Sequence, residues 1–143
     1  MTRPFGYQTR VFVADTNCFG TVSFARYFEW QGRAREAFFR AVVPNFQQLV
    51  EQGYRLLTVE ASMAYYREAQ VSDPLTIEIH LLKLRASSVE LSLTFQRGRA
   101  EIIGLGYQRL VVANRHGTPT KLPQEIRRRL QDYDARSRQQ PAA

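Results

Sequence analysis

The spacing of apolar residues divides the chain into one long helical region and a later run of strands. Between residues 24 and 41, aromatic and aliphatic side chains recur at helical spacing, which predicts a helix from its N-cap, Ser23, to about Ala41. From residue 56 onward apolar and polar side chains alternate, which is typical of antiparallel strands with one buried face. Four strands are predicted there, over residues 56–67, 75–85, 88–97 and 102–114.

Shorter elements flank these two regions. A β-rich run over residues 7–14 predicts a first strand. Pro44 ends the long helix, and a short helix over residues 46–52 is predicted to end at Gly53, a residue that suits a helix C-terminus. Near the end of the chain, residues 122–130 predict a short basic helix.

This order of elements favours a single α+β domain over residues 1–136, followed by a disordered tail over 137–143. A chain of 143 residues with 44% apolar side chains suffices for one hydrophobic core and is too short for two. The short connectors allow the later strands to pair as neighbours, giving an antiparallel sheet of about five strands wrapped round one long central helix. Such a sheet leaves an edge strand exposed, so we expect self-association.

Two polar residues of the long helix lie in line with its apolar stripe. At about 100° per residue, Gln31 and Arg35 fall on the same face as Phe24 and Phe28. A buried arginine without a polar partner is costly, so this position predicts a partner such as a ligand carbonyl. In mid-helix Gly32 costs about 1 kcal/mol relative to alanine, which predicts that another backbone or a substrate arm passes close to it.

The formal net charge of +7 predicts an acidic partner. Nucleic acid, anionic lipid, a phosphate-bearing cofactor and an acidic carrier protein all meet that description. We expect no nucleic acid, because no known binding module is recognisable, and no membrane, because no leader or long apolar run is present. The expected compartment is the cytoplasm. One cysteine, Cys18, excludes an internal disulfide.

The most specific motif spans the loop before the long helix and the start of that helix. It reads Asp15-Thr16-Asn17-x-x-Gly20-x-Val22-x-Phe24-x-x-Tyr27. This motif resembles that of hotdog-fold thioesterases of the 4-hydroxybenzoyl-CoA type. Residues 64–69 and 73–75 also match that family in type and spacing, and the resemblance covers about residues 8–115. It implies the hotdog fold and a homo-oligomer, a tetramer built as a dimer of dimers.

One departure from the family pattern changes the expected mechanism. Where the family usually has its catalytic carboxylate, this chain has Asn17, whose amide cannot act as a general base at neutral pH. The continuation Trp30-Gln31-Gly32-x-x-Arg35-Glu36 is similar to a narrower branch, the thioesterases associated with enediyne polyketide synthases. This resemblance implies that Asn17, Tyr27 and Arg35 are catalytic and act on the thioester by hydrogen bonding. Five neighbours are expected to bind substrate: Phe19, Gly20, Phe24, Gln31 and Tyr65.

The resemblance implies a thioesterase that releases a polyene polyketide chain, including a β-keto acid, from an acyl carrier protein. Amide, phenol and guanidinium donors would stabilise the oxyanion of the tetrahedral intermediate. Two alternatives stay open: a thioesterase acting on aromatic or medium-chain acyl-CoA, and a non-catalytic hotdog protein that binds acyl groups. No cofactor is expected. No metal site is expected either, because His80 and His116 are scattered.

Two residues of the loop offer other chemistry. Asp15 could be a displaced catalytic carboxylate, or a turn or cap group, the commoner role of aspartate before threonine in a loop. Cys18 could be a nucleophile, but neither histidine is placed in the sequence to activate it.

Overall fold

The computed structural model describes residues 4–138. The elements are β1 (Phe5–Arg10), α1 (Arg26–Val42), α2 (Phe46–Glu51), β2 (Arg55–Tyr65), β3 (Pro74–Leu84), β4 (Ser88–Arg97), β5 (Glu101–Ala113) and α3 (Gln124–Arg138). This is the predicted α+β architecture. No helix in this part of the chain is long and apolar enough to cross a membrane.

The five strands form one antiparallel sheet in the order β1-β3-β4-β5-β2. The last three strands pair as consecutive neighbours, as their short connectors predict, and β2 pairs with the outer side of β5. Apolar residues alternate along β3 and β4 so that one face is buried, with Ile77, Leu93 and Phe95 fully covered. The long helix α1 packs on that face and contributes Ala34 and Phe38 to the core.

The long helix begins later than its sequence pattern predicts. Ser23 is not the N-cap: the helix starts at Arg26, its cap residue is Ala25, and no side chain caps it. The Ser23 backbone carbonyl instead accepts a hydrogen bond from the Arg26 N–H, which forms a turn leading into the helix. The helix ends at Val42, close to the predicted boundary and before Pro44.

The first strand also differs from its predicted range. It covers Phe5–Arg10, and Val13–Asp15 form a single 3₁₀ turn instead of strand. The Asp15 side chain explains the change, because its Oδ2 accepts the Phe12 N–H at 2.8 Å and closes this turn.

The C-terminal helix is longer than predicted. It runs from Gln124 to Arg138, past the predicted end at residue 130 and through the first two residues of the predicted tail. Tyr133 fixes this extension: its ring contacts Phe38 of α1 edge-to-face at 4.9 Å, and its hydroxyl donates to the Ile79 carbonyl. Residues 139–143 of the predicted tail lie outside the described part.

Strand β2 is the long edge of the sheet and is exposed along most of its 11 residues. Its pairing with β5 shifts between Thr58 and Glu60, so Val59 forms a β-bulge. The edge therefore has two straight segments separated by a local kink.

Candidate active site

Asn17 lies in the exposed loop between β1 and α1, and its side chain organises that loop. The Asn17 Oδ1 accepts the Phe19 N–H at 2.9 Å and the Thr21 hydroxyl at 3.2 Å. The loop also closes through the Asn17 N–H, which donates to the Thr21 carbonyl at 2.8 Å. Gly20 has a φ of +79°, a left-handed conformation that favours glycine in this turn. Since the amide oxygen is occupied, the Nδ2 group is the part of Asn17 that remains to donate.

Tyr27, in the first turn of α1, is buried and makes edge-to-face contacts with other rings. Its ring centroid lies 5.0 Å from that of Tyr65 and 5.4 Å from that of Trp30. Burial raises the pKa of the Tyr27 phenol, with a smaller opposing effect from the Ala69 backbone amide. The phenol is therefore protonated at neutral pH and can donate a hydrogen bond.

A cleft of about 200 Å³ lies beside Tyr27. Tyr65 and Phe24 line it, and the Tyr65 hydroxyl donates to the Phe24 carbonyl at 2.8 Å, which joins the end of β2 to the turn before α1. The Phe24 and Phe19 side chains are 71% and 86% exposed, so both rings are available to a ligand or another subunit. The structure thus brings the predicted residues Tyr27, Phe24 and Tyr65 together, with the Asn17 loop adjacent through Thr21.

Arg35 lies farther along α1 and faces the sheet, as its position on the helix predicts. Its Nη1 donates to the Thr58 hydroxyl at 2.5 Å and to Gln108 Oε1 at 3.1 Å. Partial burial lowers the pKa of the guanidinium, which remains a cation. The sequence predicts a polar partner such as a ligand carbonyl, and the partners found in the described chain are protein groups on β2 and β5.

Gln31 belongs to the same hydrogen-bonded group and is fully buried. Its Oε1 accepts from Gln108 Nε2 at 3.0 Å, and its Nε2 donates to the Ser62 carbonyl at 3.0 Å. Because the Ser62 carbonyl can only accept, it fixes the orientation of the Gln31 amide, and Gln31 in turn makes Gln108 present its oxygen to Arg35. Gln31 has no exposed surface in the described chain and holds Gln108 toward Arg35, and its predicted contact with substrate stays a prediction.

Sequence reasoning missed the sheet residues of this group. Thr58 lies on β2, and Gly106 and Gln108 lie on β5, far from it in sequence. The register between these two paired strands brings all three residues under α1. A Cβ on Gly106 would lie 2.5 Å from Gln31 Nε2, so glycine is required for the amide to fit. A glutamine at an inward-facing position of β5 is the one local signal, since a buried amide needs a partner.

An apolar cavity of about 120 Å³ lies beside Arg35 at the C-terminal half of α1. Arg35, Glu36 and Arg55 contribute its charged lining. The apolar lining comes from Phe39, Phe46, Leu49, Leu56, Val112 and Ile126. An aliphatic or polyene chain fits such walls better than a polar group does.

The structure does not bring all three predicted catalytic residues together within one chain. Tyr27 and Arg35 are separated by eight positions of α1, or about 12 Å along the helix axis. The Asn17 loop is at the Tyr27 end, near the end of β2, whereas Arg35 bonds to Thr58 near its beginning.

The carboxylate nearest to Asn17 in sequence, that of Asp15, already has partners within the chain. Asp15 closes the 3₁₀ turn and forms an ion pair with Arg26 at 3.3 Å, which supports the turn role over the catalytic one. Glu68 lines the Tyr27 cleft.

Other reactive groups are dispersed. Cys18 is an exposed thiol on the Asn17 loop. Among residues 4–138, no three His, Cys, Asp or Glu side chains are grouped to hold a metal ion. Gly32 is open on its outer side, since nothing in the described chain lies within 4 Å of a Cβ built there. The predicted close approach at Gly32 is therefore not made by the chain's own described residues.

Comparison with known proteins agrees with this architecture. Residues 11–130 match the family model of the thioesterase-like superfamily. No curated protein sequence matches the chain significantly. A solved structure of the dynemicin thioesterase, described with polyene binding, is 29% identical, with a TM-score of 0.85 over 91% of this chain and 96% of that one.

Two further structures share the fold at lower identity. A gentisyl-coenzyme A thioesterase is 23% identical, with a TM-score of 0.80 over 88% of this chain and 99% of the other. A 1,4-dihydroxy-2-naphthoyl-CoA thioesterase from Synechocystis is 20% identical, with a TM-score of 0.81 over 91% and 97% of the two chains. The chain therefore belongs to the thioesterase-like superfamily and is a hotdog-fold thioester hydrolase.

Proposed function

We propose that this protein hydrolyses the thioester between a polyene polyketide chain and an acyl carrier protein. The observation that carries this proposal is the set of neutral and cationic donors at Asn17, Tyr27 and Arg35, beside apolar cavities. Likeness to the dynemicin thioesterase, described with polyene binding, supports the choice of substrate.

In the proposed reaction, water attacks the thioester carbonyl carbon and the carbonyl oxygen becomes an oxyanion. The Asn17 amide, the Tyr27 phenol and the Arg35 guanidinium donate hydrogen bonds to the thioester or to that oxyanion. The C–S bond then breaks, and the leaving thiolate takes up the proton released by the attacking water. The products are the free acid and the thiol of the carrier. Donors aimed at a developing oxyanion contribute about 3 kcal/mol each, and a thiolate leaves readily, so no strong base is required.

We further propose that two chains complete each site. A two-fold axis across the middle of β2 would pair this edge strand with its copy in antiparallel fashion. The Tyr65 end of one strand then lies beside the Arg55 end of the other. This brings the Asn17 loop and Tyr27 of one chain toward Arg35 of its partner, which bridges the separation of about 12 Å within a chain.

A second pairing would give the dimer of dimers. On the outer face of the sheet, an apolar groove is lined by Leu82 and Leu105, which are 50% and 40% exposed. Exposed apolar side chains that cluster on one sheet face are typical of an interface. We propose that two dimers associate through this face.

The test is hydrolysis of a matched series of thioesters by the purified protein. The series contains a polyenoyl carrier protein, octanoyl-CoA and benzoyl-CoA. Product acids are followed by mass spectrometry, because the exposed Cys18 thiol would itself react with a thiol reagent. We expect the highest kcat/KM for the carrier-bound polyene, and a preference for benzoyl-CoA would contradict the proposed substrate.

The Glu68→Gln variant tests the mechanism. If hydrogen-bond donors suffice, removing this carboxylate from the cleft should change kcat by less than about twofold, because the proposal gives it no chemical step. A loss of 100-fold together with loss of the acidic limb of the pH–rate profile would show that Glu68 is a general base. That result would replace the proposed mechanism while leaving the substrate assignment intact.

A further inference from the structure

The two ends of the sheet differ in charge. At one end, β2 and β4 begin and β3 and β5 finish, and six Lys or Arg residues gather on these strand ends and the adjoining loops and helix. We call this surface the basic end: Arg55, Lys83, Arg85, Arg115, Lys121 and Arg127. Within residues 4–138, only Arg85 of this set is in an ion pair, a long contact of 3.9 Å with Glu90.

Contacts with backbone carbonyls hold two members of the basic end in place without neutralising them. Arg127 Nη2 donates to the Arg85 carbonyl at 2.5 Å, and Arg115 Nη2 donates to the Gln52 carbonyl at 3.3 Å. His116 is exposed beside Arg115. The basic end is therefore a cationic surface with few matching carboxylates: Glu90 contacts Arg85, and Asp134 shares a surface cleft with Lys83 and Arg127.

At the opposite end of the sheet, three arginines are paired with carboxylates. Arg97 contacts Asp73 at 3.0 Å and Glu101 at 2.8 Å, and Arg67 reaches Glu101 at 3.2 Å. Arg26 pairs there with Asp15. Carboxylates thus offset most of the arginine charge at the sheet end that holds the Asn17 loop, whereas they offset little of the charge at the basic end.

The basic end adjoins the part of the proposed site that contains Arg35. Arg55 lines the apolar cavity beside Arg35, and Thr58, which binds Arg35, follows three residues later, about 10 Å along β2. Tyr54 borders both this cavity and an open cleft of about 390 Å³ at Arg115 and His116. A flexible thioester arm entering at the basic end would meet Arg35 after a short path.

We propose that the basic end is the docking surface for an acidic carrier protein that delivers the thioester, an inference that rests on the proposed function. The cations are spread over four strand ends, a width of about 14 Å at the usual strand spacing, and do not converge on one point. An extended acidic protein surface matches that spread better than the compact phosphates of a coenzyme nucleotide. Charge complementarity of this kind steers association and sets specificity.

Direct binding tests the surface independently of catalysis. The probe is an acidic acyl carrier protein carrying a non-hydrolysable octanoyl amide and a fluorophore, titrated with the full chain. We expect Arg115→Glu combined with Lys121→Glu to raise Kd at least tenfold. The matched control is Arg99→Glu, an exposed arginine at the opposite end with no ion pair among the described residues.

Two further measurements distinguish a loss of charge from misfolding of the variant: binding at high salt, and binding by a milder double variant. Wild-type binding should weaken at least tenfold in 1 M NaCl, where the Debye length is about 3 Å. Arg115→Gln combined with Lys121→Gln should give an intermediate Kd with an unchanged Tm. Equal Kd values for wild type, both double variants and Arg99→Glu would overturn the proposal.

Kinetics separate this inference from the proposed function. On octanoyl carrier protein the double reversal should raise KM at least tenfold, whereas on the small thioester S-octanoyl N-acetylcysteamine kcat/KM should stay within twofold. An equal rise in KM for octanoyl-CoA would show that the surface holds the coenzyme nucleotide. Tighter binding of a 20-base-pair DNA duplex than of the carrier protein would show a nucleic-acid surface. Either result overturns the proposal. Absence of hydrolysis with retained, charge-dependent carrier binding would refute the proposed function alone.

Discussion

In the proposed mechanism Asn17 has both a structural and a chemical role, and the two can be separated by substitution. Its oxygen holds the loop through the Phe19 N–H and the Thr21 hydroxyl, so only Nδ2 is left for a substrate. A substitution that removes the whole amide changes both tasks at once. One that keeps the acceptor and removes the donor tests the chemistry by itself.

Asn17→Asp is that substitution. The carboxylate keeps the acceptor contacts in the loop, and it replaces the donor with an anion that repels the developing oxyanion. We expect kcat to fall by about 100-fold while Tm stays within one or two degrees. Asn17→Ala should lose similar activity and also loosen the loop, seen as faster proteolysis near Cys18. An Asp variant more active than wild type would show that this site still supports catalysis by a carboxylate.

Arg35 depends on the shape of its guanidinium as well as its charge. Its Nη1 alone donates to Thr58 and Gln108, so Nη2 and Nε can donate to a substrate at the same time, whereas a lysine ammonium has a single nitrogen for all its contacts. We expect Arg35→Lys and Arg35→Ala each to lower kcat/KM at least tenfold, or about 1.4 kcal/mol of transition-state stabilisation. Size-exclusion chromatography on the same samples provides the control. If the oligomer partly dissociates in these variants and the fraction that stays assembled has full activity, Arg35 acts at the subunit interface instead.

At the scale of secondary structure, the periodicity of the sequence predicts nearly every element, because burial of one face imposes it directly. The four later strands agree with prediction to within two residues at each end. The errors fall where side chains act on the backbone: Asp15 converts the end of the first predicted strand into a 3₁₀ turn, and Tyr133 anchors extra turns of α3. Neither contact leaves a periodic signal.

The candidate site is less predictable than the elements that carry it. The resemblance implies catalytic roles for Asn17, Tyr27 and Arg35, and helical spacing predicts that Arg35 and Gln31 face the sheet. The partners Thr58, Ser62, Gly106 and Gln108 depend on the register between β2 and β5, which a bulge shifts by one residue. Sequence spacing cannot supply that register, because it is set by tertiary packing.

Two glycines provide a matched test of what surrounds α1. Gly106→Ala would force a Cβ to within 2.5 Å of Gln31 Nε2, so we expect the free energy of unfolding to drop by about 1–3 kcal/mol. Gly32→Ala meets no described atom within 4 Å and should stabilise the helix of an isolated chain by about 1 kcal/mol. Urea unfolding of both variants gives the comparison. If Gly32→Ala is stabilising but inactive, a substrate or second chain occupies the space beside it.

At the scale of the whole molecule, the proposed shared site predicts complementation between two inactive variants. In a mixed dimer of Asn17→Asp and Arg35→Ala chains, one site collects both defects and the other has neither. Random exchange of subunits should therefore restore roughly a quarter of wild-type activity. The measurement is turnover after the two variants are mixed, unfolded and refolded together. If both residues act within one chain, mixing restores nothing, and each variant refolded alone is the control.

The pH dependence of stability follows from a surface ion pair and from two tyrosines, one buried and one partly buried. The Arg97 guanidinium lowers the pKa of Glu101, so this pair stabilises the fold above the ordinary glutamate pKa of about 4.3 and loses that effect as pH falls further. Burial raises the pKa of Tyr27 and Tyr133, whose stabilising effect is complete below about pH 10 and is lost as pH rises. We expect Tm, measured by circular dichroism, to decline outside these limits. Glu101→Gln should flatten the acid side alone, and an unchanged acid profile would contradict the role of the pair.

The bulge at Val59 also affects how many copies of the chain can associate through the edge strand β2. An open filament requires β2 of one copy to pair with β1 of the next, but β1 has six residues and β2 has eleven with a kink between Thr58 and Glu60. Two kinked edges related by a two-fold axis match each other, whereas a kinked edge and a short straight one do not. The same irregularity that sets the register under Arg35 therefore favours a closed pair over an endless ribbon, so this chain can keep a long exposed strand without polymerising through it.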